Sequence, residues 1–258
     1  ILKFSFIILL ICILIYYLQN NKLEKFNNKV EPTYLFFTGG YDSTFRLCYL
    51  LLVEKKPVKP IYIIDPNLDN SETKKVKRRN HKHEVEAMNK IKDYLFKNYP
   101  FTKKLLLNTQ IIKKVNISPY IQKNMEQLYK QKKIRRPVCQ YGGMAQVTFD
   151  LNKKIEICVE NEPGSQMNKT IKNEVICNNI NCQNKDRILK NKKVLTEKSL
   201  IIFENFIFPI LHLSKMDMLN ISKKNNFSEI LKMTWSCWYP KNNKPCNKCV
   251  MCRERLNI

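Results

Sequence analysis

Glycine is scarce in this chain, with five in 258 residues, and proline numbers only eleven. Those low counts exclude a collagen-like protein, and with 44% apolar and 10% aromatic residues they exclude a chain disordered throughout. Acidic residues are also in short supply: 22 Asp and Glu stand against 46 Lys and Arg, a formal net charge of +24. Such an imbalance usually marks a nucleic-acid or anionic-membrane partner. Here the basic residues are mostly Lys, spread along a chain crowded with Asn and Ile, so a solvated surface is the preferred reading. No internal repeat is visible. The length suffices to bury a full core without disulfides, as one large domain or two small ones.

Cysteine, by contrast, is plentiful at ten, and its placement is uneven. Cys237, Cys246, Cys249 and Cys252 fall within the last 22 residues, and the others are scattered. Clustering at x2 spacing is a metal signature and implies a reducing compartment. Cys237-x8-Cys246-x2-Cys249-x2-Cys252 supplies four thiolates, enough for a closed tetrahedral zinc site. An iron–sulfur cluster is the competing reading, although the downstream Cys-Pro of ferredoxins is missing. Cys177 and Cys182 read as loop cysteines without a ligand.

The N-terminus forms its own unit. From Phe4 to Asn21 there is no charge, and as a helix this run would measure about 27 Å, enough to span a bilayer core. It ends Tyr16-Tyr17-Leu18-Gln19 with no Ala-x-Ala-like cleavage site, which favours an uncleaved anchor over residues 1–20. The basic flank Lys22, Lys25 and Lys29 within the linker 21–32 places the remainder, with its catalytic part, in the cytoplasm of a membrane-anchored protein. A buried core helix is the alternative.

Beyond the linker, strands and helices alternate. Strands are expected at 34–37, 61–64, 105–112, 155–159 and 206–210. Helices are expected at 43–54, 81–98, 121–132, 138–151 and from Ser214, as cap, to Asn225. This order predicts an α/β fold with a doubly wound, parallel, five-stranded sheet whose ligands lie beyond the carboxyl ends of the strands. Residues 161–200 break the rhythm and read as an insertion or loop. Gly142 and Gly143 inside a helix cost about 1 kcal/mol each relative to Ala, which close approach to a ligand or fraying would explain. His81 falls near the mouth of the cleft or caps a surface helix.

Thr38-Gly39-Gly40-Tyr41-Asp42-Ser43-Thr44 lies between the first strand and the first helix. Two glycines allow a tight turn and close approach to an anion, the hydroxyls can donate to phosphate oxygens, and the helix start adds partial positive charge. No Lys follows at Walker spacing, so this is not a kinase or GTPase loop. The string resembles the Ser-Gly-Gly-x-Asp-Ser signature of the PP-loop ATP pyrophosphatases, which are adenine nucleotide alpha hydrolase-like, with Thr38 keeping the first hydroxyl.

The tail extends that likeness. Thr234-Trp235-Ser236-Cys237 with Cys246, Cys249, Cys252 and Arg255 is similar to the C-terminal zinc motif of the 7-cyano-7-deazaguanine synthases, a family that also begins with the PP-loop signature. Asp65, the stretch Arg79 to Ala87, Phe208-Pro209-Ile210 and Ser214-Lys215 resemble the segments between. The resemblance covers most of residues 33–258. It implies a PP-loop ATP-binding domain over 33–230 and a zinc-binding segment over 231–258. The implied activity is a ligase of queuosine biosynthesis that converts a 7-carboxy-7-deazaguanine-type acid, ammonia and ATP to an amide or nitrile, with Zn²⁺ and Mg²⁺. Asp42 and Ser43 take the catalytic roles, and Thr38, Gly39, Gly40, Tyr41, Asp42, Ser43, Thr44 and Asp65 bind ATP and its metal. Cys237, Cys246, Cys249 and Cys252 hold a structural zinc.

This chain departs from the family in three places. About ten extra residues precede His81, Arg135-Arg136-Pro137 matches only loosely, and Glu160-Asn161-Glu162-Pro163-Gly164 stands where the family meets the deazaguanine. Two rivals therefore stay open: a PP-loop enzyme acting on tRNA, and a membrane-tethered ATP-binding scaffold that lost its acceptor pocket. Nucleic acid is the less favoured partner, and a homodimer is compatible with the reading.

Overall fold

A computed structural model describes residues 31–64, 80–135, 140–177 and 186–255, and Thr33–Ile258 forms one compact unit. Its organising element is β1 (Thr33–Phe36), whose run Leu35-Phe36-Phe37 is buried on both faces, as a central parallel strand requires. The chain continues through α1 (Tyr41–Cys48) into a wider π-type turn at Tyr49–Val53, and Lys55, at φ 54°, ends it. Then come β2 (Val58–Ile63), α2 (His81–Asn98), the single turn α3 (Thr102–Leu105) and β3 (Gln110–Ile112). Helices α4 (Pro119–Lys130) and α5 (Gln140–Leu151) lead to β4 (Ile155–Glu156).

After β4 the chain forms α6 (Gln166–Ile171), β5 (Val175–Cys177), β6 (Arg187–Leu189), two 3₁₀ turns at Lys192–Val194 and Lys198–Phe203, and β7 (Phe206–Phe208). Last are α7 (Lys215–Lys224), α8 (Ser228–Leu231) and α9 (Val250–Arg255). Ser214 caps α7 reciprocally with Asp217, as its position before an apolar periodic run predicts.

Among the described residues the strands form one seven-stranded sheet in the order β3-β2-β1-β4-β7-β6-β5. The expected five strands are β1, β2, β3, β4 and β7, all parallel to their neighbours within that set. The count of five is corrected to seven. The segment 161–200, expected as a loop, contributes the hairpin β5–β6, which pairs antiparallel with β7 and covers what would otherwise be an open edge. Its strands, of three residues each, lie within an otherwise polar segment and are too short to show a period. Cys177, expected in a loop, instead ends β5 and is disulfide-bonded.

Two apolar layers flank the sheet. Phe36 and Ile61 face a layer with Met125 of α4 and Val147 of α5, whereas Leu35 and Phe37 face Phe45, Ile91 and Phe227. Gly142 packs on α4, where a Cβ would lie 3.4 Å from Met125 Cγ, an ordinary contact distance.

The expectation of a membrane-anchored protein is corrected. Among the described residues no helix is long and apolar enough to cross a membrane; α2, with 18 residues, is charged along one face. The run Phe4 to Asn21 on which that expectation rested lies outside the described residues.

The sheet reverses direction of growth between β1 and β4. β2 and β3 lie on one side of that point and β7 on the other. A crevice at the carboxyl ends of these strands is the usual ligand site of an open α/β sheet, and the loop that follows β1 opens into it.

Candidate functional site

Gly39 takes φ 69°, a left-handed conformation that costs an L-residue roughly 1–2 kcal/mol. It is also walled in: an added Cβ would stand 3.0 Å from the Glu84 carbonyl oxygen, 3.1 Å from Met88 Cγ and 3.2 Å from Ala87 Cβ. The helix start α2 thus packs directly on the loop. Glu84 is itself fixed, accepting hydrogen bonds from Tyr62 Oη at 2.5 Å and Asn80 Nδ2 at 2.7 Å. Gly39→Ala therefore forces the loop away from α2, and thermal denaturation should show a loss of about 2 kcal/mol or more.

The loop also braces itself. Thr38 N–H donates to Ser43 Oγ (3.4 Å), Ser43 Oγ donates to the Gly40 carbonyl (3.3 Å), and Gly40 N–H donates to Thr38 Oγ1 (3.3 Å). No side chain caps the N-terminus of α1, so its first N–H groups stay available to an anion. Thr44 Oγ1 and Tyr41 Oη are buried with no hydrogen-bond partner, two donors turned inward without a protein acceptor. Burial, and then the neighbouring Asp42 charge, push the Tyr41 phenol up to about 12, so it remains a donor.

Lys215, the first residue of α7 and almost fully buried, brings its Nζ 4.0 Å from Asp42 Oδ1. Its backbone N–H donates to Glu162 Oε1 at 2.8 Å, and Asn161 N–H donates to the Leu213 carbonyl at 2.8 Å. The divergent segment after β4 is therefore folded onto the start of α7 beside the glycine loop. Lys215 stands outside the residues assigned a role from sequence; its signal was the Ser-Lys pair at a helix start. Asp65 lies outside the described residues, as do Arg136 and Pro137.

Beneath the loop, Arg46 of α1 is buried among three carboxylates. Its Nε and Nη2 donate to the two oxygens of Glu156 at 2.7 Å each. Nη1 reaches Glu54 at 2.8 Å, and Nη2 lies 3.5 Å from Asp186. Little in the local sequence marks this cluster, because Glu54 is eight residues away but Glu156 and Asp186 are 110 and 140 residues distant.

The four cysteines of the tail converge. The sulfurs of Cys237, Cys246, Cys249 and Cys252 all lie within 4.8 Å of one another. Cys246 Sγ and Cys252 Sγ are 3.9 Å apart, against roughly 3.8 Å for two sulfurs of a tetrahedral site with bonds of about 2.3 Å. Backbone N–H groups of Cys246 and Cys249 point at Cys237 Sγ (3.2 Å) and Cys246 Sγ (3.4 Å), which suits thiolates. Such bonds, from Lys248 and Cys249, lower the Cys246 thiol to about 6. Asn242, Asn243 and Asn247 supply the left-handed turns that wrap the chain around this point. The residues present fit a metal held by four sulfurs with no open position.

Trp235 joins the two motifs. Its backbone N–H donates to the Gly39 carbonyl at 3.0 Å, its indole N–H donates to the Cys237 carbonyl at 2.8 Å, and its ring stacks on His83 at 4.4 Å. The histidine that matters here is the buried His83, whose Nδ1 is 3.3 Å from Glu86 Oε2; His81 is exposed.

Among the described residues the chain is a mixed α/β protein with a mostly parallel sheet, a glycine loop at its switch point and four cysteines placed so that they could bind a metal. Within that class the family is named by comparison: the model of the family described as "Queuosine biosynthesis protein QueC" matches residues 185–257, which include Lys215, Trp235 and all four cysteines. The resemblance to the queuosine-biosynthesis, 7-cyano-7-deazaguanine synthase family is therefore supported over that stretch, and the match suggests a queuosine-pathway enzyme. No curated protein matches the chain.

Proposed function

We propose that this protein is a PP-loop, ATP-dependent C–N ligase of the 7-cyano-7-deazaguanine synthase type, using zinc at the four cysteines and the Mg²⁺ that accompanies ATP. The observation that carries the reading is the junction at Trp235, where the glycine loop meets a cysteine centre within the stretch matched by the family. Each motif alone admits other readings; their contact joins them in one site.

Making a carboxylate reactive toward ammonia requires its oxygen to become a leaving group. The carboxylate oxygen attacks the α-phosphorus of ATP, the bond to the β-phosphate oxygen breaks, and pyrophosphate departs. Ammonia then attacks the acyl carbon, AMP leaves with the bonding pair, and a proton is lost, giving the amide. A second adenylation, on the amide oxygen, leads to the nitrile. In this scheme the N–H groups at the start of α1 receive the pyrophosphate, because no side chain caps them, and the hydroxyls of Thr38 and Ser43 brace the loop that presents them. Lys215 adds a buried cation beside them, held by Asp42, which also positions the Mg²⁺. Cys237, Cys246, Cys249 and Cys252 would hold the zinc, which would cross-link the tail and, with four sulfur ligands, leave no site for substrate.

Asp42→Ala should lower pyrophosphate release with the acid, ATP, Mg²⁺ and ammonium by about 10²-fold or more, while zinc content stays at one per chain. Wild-type protein that releases no pyrophosphate under those conditions would overturn the synthase reading, and the segment 160–164 would be the place to graft a family-like sequence.

A further inference from the structure

Gly39 sits between two walls. On one side are Glu84, Ala87 and Met88 of α2; on the other, the backbone of Trp235 takes the Gly39 carbonyl in a 3.0 Å hydrogen bond. The second wall rests on the core on one side, through buried Leu231 and Thr234, and is tied to the cysteine tail on the other. Thr234 and Lys232 give their carbonyls to the guanidinium of Arg255, which also lies 3.4 Å from Ser236 Oγ. Arg255 ends α9, a helix that starts immediately after Cys249 and contains Cys252. Cys237 follows two residues after Trp235, and its carbonyl holds the indole N–H. Three of the four thiolates are thus tied within a few bonds to the residue that fixes the loop.

We infer that Trp235 is a positioning residue through which metal at Cys237, Cys246, Cys249 and Cys252 sets the conformation of the glycine loop, and through which an anion on that loop tightens the metal. A short tail with six-residue α9 and exposed turns at 241–245 has little apolar burial to hold it without a metal. When the tail loosens, the Gly39 carbonyl loses its donor, and the left-handed Gly39 becomes free to leave the conformation that aims the N–H groups of α1. Binding linkage requires the reverse effect to be equal: whatever factor metal adds to anion affinity, the anion adds to metal retention. The anion being ATP rests on the function proposed above; the coupling of metal to loop does not.

The test uses full-length protein, wild type and Trp235→Ala, with two readouts. Hydrogen exchange of peptides covering 38–44 is compared before and after metal removal. Loss of metal to a coloured chelator is followed with and without a non-hydrolysable ATP analogue and Mg²⁺. In the wild type, metal removal should speed exchange at 38–44 about tenfold while peptides from β2 are unchanged, and the analogue should slow metal loss by a similar factor. Trp235→Ala keeps the backbone donor to Gly39 but loses the indole bond to Cys237 and the stack on His83, so it should hold one metal yet show both effects at least threefold smaller.

If that variant fails to fold, Trp235→Phe carries the test: it keeps the ring against His83, lacks the N–H donor to Cys237, and should show at least a threefold smaller coupling. Exchange at 38–44 that ignores the metal in wild type, or a variant that keeps the full effect, overturns the inference. An analogue that does not bind wild type refutes the ATP reading alone, and the exchange result still decides the coupling.

Discussion

Arg46→Ala is expected to destabilise the protein by about 3–5 kcal/mol, because it strands buried carboxylates without their cation. For a chain of this size that is a fall in Tm on the order of 10 °C. Glu156 loses both of its 2.7 Å donors and Glu54 and Asp186 lose their shared partner. The deficit should depend on pH in a definite direction. Burial pushes the carboxyls of Glu156 and Asp186 up, and Arg46 pulls both back down. A carboxyl whose pKa is raised by folding holds its proton where the unfolded chain has released it, so stability falls as pH rises through that window. Without Arg46 both carboxyls move higher still and the window widens upward. Urea midpoints of wild type and variant should therefore differ most near pH 7.5 and converge toward pH 4.5, close to ordinary carboxylate values of about 4. A gap that stays constant across this range would assign the loss to packing instead of charge.

Cys249→Ser should have the largest effect on the tail. Thiolate binding energy is folding energy in sites of this kind, about 10–16 kcal/mol for structural zinc in isolated finger peptides. The sulfurs lie within 4.8 Å of one another, and exposed turns separate the ligands, so little besides the metal holds residues 237–252 together. The variant should contain less than about a tenth of the wild-type zinc. Limited proteolysis should cut it between 238 and 250 while the sheet retains its far-ultraviolet signal. A brown wild-type protein with bound iron and a visible absorption band would assign the centre to an iron–sulfur cluster. A Cys249→Ser protein with full zinc would show that three sulfurs suffice.

The parts of this site that are legible in the sequence are those with local spacing. The glycine loop was marked by two glycines after an apolar strand, and the cysteine centre by its x2 intervals. Five parallel strands were marked by alternation of apolar runs with helical periodicity. What stayed hidden is what depends on partners distant in the chain. Arg46 looks like any helix arginine until Glu156 and Asp186 are brought beside it. The hairpin β5–β6 has three-residue strands, too short for a period-two signal, and pairs only because β7 offers an edge. The strand expected at 105–112 shrinks to Gln110–Ile112 because Leu105 closes the turn α3, where Thr102 Oγ1 donates to the carbonyls of Leu95 and Tyr99. His83 could not be preferred over His81 without knowing that Trp235 would stack on it.

The contact between Trp235 and Gly39 also orders events in time. The two residues are about 200 positions apart, and synthesis at about 5–20 residues per second separates their emergence by roughly 10–40 s. Through that interval β1 and α1 can pair and pack with their early neighbours, but the glycine turn has only its α2 wall. Completion of the loop waits on Trp235, two residues before the first cysteine of the cluster. A nascent chain therefore carries the glycine loop without its second wall until residues 234–237 have been made.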